Sequence, residues 1–174
     1  IDKEKSSGVL IVIDKLDKIG KEGVESELAK LGLPEGSIDT ILSLMTDQDF
    51  EDPERPGYSH EFSKDNVEAN QERIMLLYQR FKHFPAESEG KVAANEGLGN
   101  LRKIIELSRN SSAANHIKID TALARGLSYY TGAIMEISVP DLAGSLGGGG
   151  RYDNLVGMFS GRDIPACGFS LGLE

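Results

Sequence analysis

The sequence predicts an α+β fold, a mainly helical stretch followed by an antiparallel sheet. Apolar residues recur at helical spacing up to about residue 110. From residue 116 onward, alternation, β-branched and aromatic runs and glycine clusters take over. Size is the third observation: 174 residues, 39% of them hydrophobic, can bury one modest core or a small domain with an attached lobe.

Val9, Val12, Ile13, Leu16 and Ile19 form one apolar stripe and predict a helix over residues 9–19. A second helix runs from about Lys21 to Leu31, with Val24, Leu28 and Leu31 on one face and Gly32 at its stop. After Pro34, Ile38, Ile41, Leu42 and Met45 continue the pattern into a third. Asp47–Ser59, with two prolines and Gly57, reads as an acidic solvated loop. Val67, Ile74, Leu77, Tyr78 and Phe81 predict a helix from Asp65 to Lys82, and Leu98, Leu101, Ile104, Ile105 and Leu107 another ending near Asn110. His116–Asp120, Tyr129–Val139 and Ala166–Leu173 read as strands, and Tyr152–Phe159 as a short helix with Leu155, Val156 and Phe159 inward. The expected division is a connecting segment and helix over 1–19, a helical lobe over 20–115 and a sheet over 116–174.

The net charge of −9 argues against a broad basic surface, because Lys and Arg at phosphates supply most nucleic-acid affinity. The imbalance is local: residues 20–115 carry 11 Lys/Arg against 18 Asp/Glu, and residues 116–174 carry 4 against 6. Any grip on RNA is therefore patchy or lies elsewhere. No apolar run approaches a membrane helix, the polar start is not a secretory signal, and the single cysteine, Cys167, fits a reducing compartment. A soluble, cytoplasmic protein is the expectation. His60, His83 and His116 lack metal-ligand spacing, and no metal site is expected. The chain opens on Ile1 and closes on Ser170-Leu171-Gly172-Leu173-Glu174 without a helix stop or turn, so it reads as an internal piece.

Three clusters carry candidate chemistry. Arg125-Gly126-Leu127-Ser128-Tyr129-Tyr130-Thr131-Gly132 places an arginine and two tyrosines at a strand entry, either a binding rim or an interface salt bridge beside two core aromatics. Gly147-Gly148-Gly149-Gly150-Arg151-Tyr152-Asp153 matches no phosphate-loop or dinucleotide pattern. Its glycines suit a ligand laid on the sheet or a hairpin tip, and taken alone the hairpin is favoured. Gly168-Phe169-Ser170-Leu171-Gly172 again alternates small residues along a strand. Asp120 and Glu136 flank the first cluster, as substrate contacts or as ion-pair partners.

The order of these three motifs within fifty residues resembles the C-terminal half of the catalytic domain of histidyl-tRNA synthetases. There the first is the histidine signature, the second continues the histidine pocket and the third begins motif 3 of class II synthetases. Residues up to about 115, including Val12-Ile13-Asp14-Lys15-Leu16-Asp17-Lys18, are similar to the family's insertion domain. The resemblance implies that Arg125 contacts the histidine carboxylate and the α-phosphate and is catalytic. It also implies that Tyr129, Tyr130, Gly149, Gly150 and Tyr152 line the histidine pocket, and that Gly168 and Gly172 join Arg125 at the adenylate. Ser128 stands where many relatives have aspartate.

The implied activity is ligation of histidine to tRNA(His) through an adenylate, with ATP and Mg2+ as a substrate complex and a homodimer as the intact enzyme. The motif 3 arginine, motifs 1 and 2 and the anticodon-binding domain lie outside these 174 residues, so this chain alone is expected not to charge tRNA. A histidine-sensing regulatory subunit of ATP phosphoribosyltransferase is the alternative. Arg125, both tyrosines and the long helical insertion favour the synthetase.

Overall fold

The computed structural model describes residues 3–45, 66–121, 123–124, 129–139 and 145–172. The predicted loop Asp47–Ser59 lies outside them. The chain divides into two compact units, one of residues 15–122 and one of residues 1–14 with 123–174.

The first unit is helical: α2 (Leu16–Lys30), α3 (Glu35–Met45), α4 (Asn66–Phe81) and α5 (Glu89–Ser108). The stripe over 9–19 is not one helix. It is shared between α1 (Lys3–Ile13) of the other unit and the first turn of α2, which kinks at Gly20, where φ is 68°. Beyond that kink the helix runs as expected to Leu31, and Gly32 (φ 74°) ends it. Val24 and Leu28 of α2 and Ile38 and Leu42 of α3 are buried where the two helices pack. Helix α5 begins at Glu89, well before its first apolar repeat, because the Ser88 hydroxyl accepts the Lys91 amide at 3.3 Å and caps it. Ile74, Ile105 and Ile119 form a core cluster with Val67, Tyr78, Leu101 and Ile117 around it.

The predicted strand at His116–Asp120 is not a sheet strand. Ala114–His116 form a 3-10 turn and the chain then extends, with Ile117 at φ −95°, ψ 127°. Its partner is a side chain: buried Asn70 of α4 donates from Nδ2 to the Ile117 carbonyl (2.7 Å) and accepts the Ile119 amide at Oδ1 (2.8 Å). One amide thus does what a neighbouring strand would do, satisfying backbone groups that Ile117 and Ile119 carry toward the core.

The second unit holds α1, a three-stranded antiparallel sheet in the order β1-β2-β3 and the short helix α6 (Leu155–Ser160). The strands are β1 (Ile134–Ser138), β2 (Ser145–Arg151) and β3 (Cys167–Leu171). Helix α1 buries Val9, Val12 and Ile13. Leu155 and Val156 of α6 are half-buried, but Phe159, expected inward, is 85% exposed. The helix has only six residues and ends at Gly161 (φ 66°), so it stops before its second turn gains cover. The glycine cluster is no hairpin tip. Gly147–Gly150 lie in the central strand, paired with β1 on one side and β3 on the other. The α+β expectation holds.

Candidate functional site

Residues directly opposite in antiparallel strands project to the same face. Ile134, Gly150 and Gly168 therefore share one face, and Glu136, Gly148 and Ser170 lie beside them. Glycine and serine leave this face nearly bare, and two tyrosines occupy the clearing. A Cβ on Gly150 would sit 2.8 Å from two ring carbons of Tyr130, and one on Gly168 would overlap the Tyr152 hydroxyl. Only glycine lets the rings lie this close to the strands. Tyr129 joins them, its ring centroid 4.6 Å from that of Tyr130 and 6.4 Å, edge-on, from that of Tyr152. Such ring pairs contribute about 0.5–1.5 kcal/mol each beyond area burial. All three rings are half-buried. Each phenol hydroxyl can both donate and accept, so the cluster offers polar contacts above a flat backbone floor.

The segments that bring these tyrosines are tied together before the sheet proper begins. The Thr131 amide donates to the Arg151 carbonyl (2.8 Å), the Arg151 amide to the Ala133 carbonyl (3.0 Å), and the Tyr152 amide to the Ala166 carbonyl (2.8 Å). The Asp153 amide donates to the Thr131 hydroxyl (2.9 Å). Arg151 Nε reaches both Asp153 carboxylate oxygens, at 2.9 and 3.0 Å. That hydrogen bond holds the Asp153 carboxyl below its ordinary value; desolvation opposes it, and the Arg151 charge and the Thr131 hydroxyl add to it.

The structure thus gathers Tyr129, Tyr130, Tyr152, Gly150 and Gly168. Gly149 is buried but belongs to the other face, where a Cβ would run into the Gly168 carbonyl. Gly172 follows Gly168 by four residues, about 13 Å along the strand direction, and its amide bonds the Leu146 carbonyl. Arg125 and Ser128 lie outside the described residues. Glu136 is half-buried on the tyrosine face, whereas Asp120 belongs to the helical unit. Thr131, Arg151 and Asp153 were given no role from the sequence. The signal was present in the Arg-Tyr-Asp spacing, which sets two opposite charges two residues apart at a strand end. A separate cleft of about 480 Å3, lined in part by Thr40, Leu76, Arg80, His83 and Phe84, lies in the helical unit and holds none of these residues.

The fold defines an α+β protein whose sheet carries three phenol rings packed over glycine positions. The family model for histidyl-tRNA synthetase matches residues 18–174, and the chain belongs to that family. It is 37% identical over 163 residues to the histidine--tRNA ligase of Aeropyrum pernix and 38% over 163 residues to that of Korarchaeum cryptofilum, covering 93% of this chain and 31% of each relative. The crystal structure of histidyl-tRNA synthetase from Nostoc sp. PCC 7120 matches with a TM-score of 0.76 and 28% identity, over 99% of this chain and 35% of that one. The chain therefore spans about a third of the length of the relatives it matches. Among the described residues, no helix is long and apolar enough to cross a membrane.

Proposed function

We propose that this chain supplies the histidine pocket and part of the adenylate floor of a histidine--tRNA ligase, with residues 20–115 as its insertion domain. The observation that carries this is the meeting of Tyr129 and Tyr130 with Tyr152, from two separate signature segments, over Gly150 and Gly168. Gly148, next to them on the same face, leaves open space beside the rings for a flat imidazole, whose ring nitrogens the phenol hydroxyls can hydrogen-bond. A site built this way rejects amino acids lacking those nitrogens, because its own buried polar groups would be left unpaired.

In the reaction proposed, a histidine carboxylate oxygen attacks the α-phosphorus of ATP, bound as its Mg2+ complex, and pyrophosphate leaves. A terminal ribose hydroxyl of tRNA(His) then attacks the adenylate carbonyl, the ester forms and AMP leaves. Arg125 is the candidate for holding the carboxylate and stabilising charge that builds on the phosphoryl oxygens, which accelerates the step only insofar as it binds the transition state more tightly than the ground state. Gly149 and Gly172 extend the floor through their backbone. The enzyme would act in protein biosynthesis in the cytoplasm, as a homodimer, and these 174 residues alone would not aminoacylate.

The test is histidine-dependent exchange of pyrophosphate into ATP by the full-length protein carrying this sequence, with Arg125→Ala beside it. Exchange that requires histidine and falls about 10²–10³-fold in the variant is expected, the scale for losing one transition-state charge stabiliser. Histidine binding without any exchange would replace the synthetase with a histidine-sensing regulatory protein.

A further inference from the structure

Gly150 pairs with Ile134, yet the next residue, Arg151, bonds both Thr131 and Ala133. A regular ladder would bond both groups of Arg151 to one residue, so the segment before β1 carries two residues more than β2 can match, a bulge-like step of the kind that re-aims neighbouring side chains. Tyr129 and Tyr130 sit immediately before this step, and Tyr152 lies immediately after Arg151. A bulge is held only if something fixes the extra residues, and here three groups do so. The Thr131 hydroxyl takes the Asp153 amide, the Asp153 carboxylate takes Arg151 Nε with both oxygens, and the Arg151 arm lies across Gly132, where a Cβ would meet Arg151 Cδ at 3.0 Å and Cβ at 3.2 Å.

We infer that Thr131, Arg151 and Asp153 form a latch that locks this bulge and thereby sets the spacing of Tyr129 and Tyr130 against Tyr152, as positioning residues for histidine. The inference rests on the proposed histidine pocket and adds to it the device that fixes its width. The latch adds a side-chain tie to the two backbone bonds that Arg151 makes to Thr131 and Ala133, and Tyr152 has its own tie to Ala166 on β3. Loosening the latch therefore lets the Tyr129–Tyr130 pair move relative to Tyr152 while the three-stranded ladder stays paired. The consequence is selective: recognition of the small ligand held against the rings weakens, whereas contacts made elsewhere do not.

The experiment uses the full-length protein with Thr131→Val, Thr131→Ser and Asp153→Ala, measuring KM for histidine, KM for ATP and kcat in pyrophosphate exchange, together with Tm. Val keeps the shape of Thr but cannot accept the Asp153 amide, and Ser restores the acceptor. Thr131→Val and Asp153→Ala should raise the histidine KM about fivefold to tenfold, the scale of one lost hydrogen bond, with the ATP KM changed less than about twofold. Thr131→Ser should return the histidine KM to within about twofold of wild type. An unchanged histidine KM in both disruptive variants, or parallel rises for histidine and ATP with a fall in Tm, would overturn the latch while leaving the pocket standing. Wild-type protein without histidine-dependent exchange would overturn the functional reading itself, and the latch with it.

Discussion

The helical unit and the sheet unit fix their residues by opposite means. In the helical unit position is set by side chains that are present: Ile74, Ile105 and Ile119 fill a core, and the Asn70 amide stands in for a strand. In the sheet unit it is set by side chains that are missing, since Gly150 and Gly168 hold Tyr130 and Tyr152 only because no Cβ is there. Burial rewards the first arrangement directly, at about 25 cal/mol per Å² of apolar surface. The second forgoes that reward along a whole central strand. Alterations in the two units should therefore register in different measurements, stability in one and ligand recognition in the other.

Four substitutions sharpen or break this contrast. The largest effect is expected for Ile105→Ala, which empties a fully enclosed position and should cost about 2–5 kcal/mol in denaturant unfolding of the helical unit. A raised histidine KM in that variant, at temperatures where it stays folded, would break the comparison. Gly168→Ala follows, since its Cβ displaces the Tyr152 hydroxyl. Histidine-dependent exchange should fall about 10²-fold, the cost of a displacement on the order of 1 Å, with little change in Tm because the ring tip rather than the backbone yields. Asn70→Ala should cost about 1–3 kcal/mol in thermal or denaturant unfolding, because it strands the Ile117 carbonyl and the Ile119 amide. Smallest is Arg102→Ala, which removes an exposed i,i+4 pair with Glu106 (3.0 Å) and should shift stability by only about 0.3–0.5 kcal/mol.

Much of this was legible in the sequence, and the failures share a cause. Periodicity located α3, α4 and the end of α2, where the burying partner is another helix and the repeat is the signal. It erred at 9–19, because the stripe continues through a break that only the positive φ of Gly20 reveals. It also erred at His116–Asp120: the alternation reported an extended chain with Ile117 and Ile119 inward, but nothing in that segment says that its partner is a side chain 47 residues earlier. Alternation reports which face is buried, not what covers it. In the second unit the family resemblance names the tyrosines and glycines, and the register sorts them, sending Gly149 to the opposite face from Gly150. The Thr131–Asp153 bond is not legible in the sequence because it depends on the bulge, which needs pairing information from both strands.

The central claim is that the sheet face carrying Tyr130 and Tyr152 receives the histidine side chain against those rings. A crystal structure of the full-length protein grown with histidine tests it directly. The account predicts imidazole density on this face beside the rings, toward Gly148, with a phenol oxygen of the tyrosine trio within about 3 Å of a ring nitrogen. Histidine bound elsewhere, with the clearing filled only by water, would contradict it.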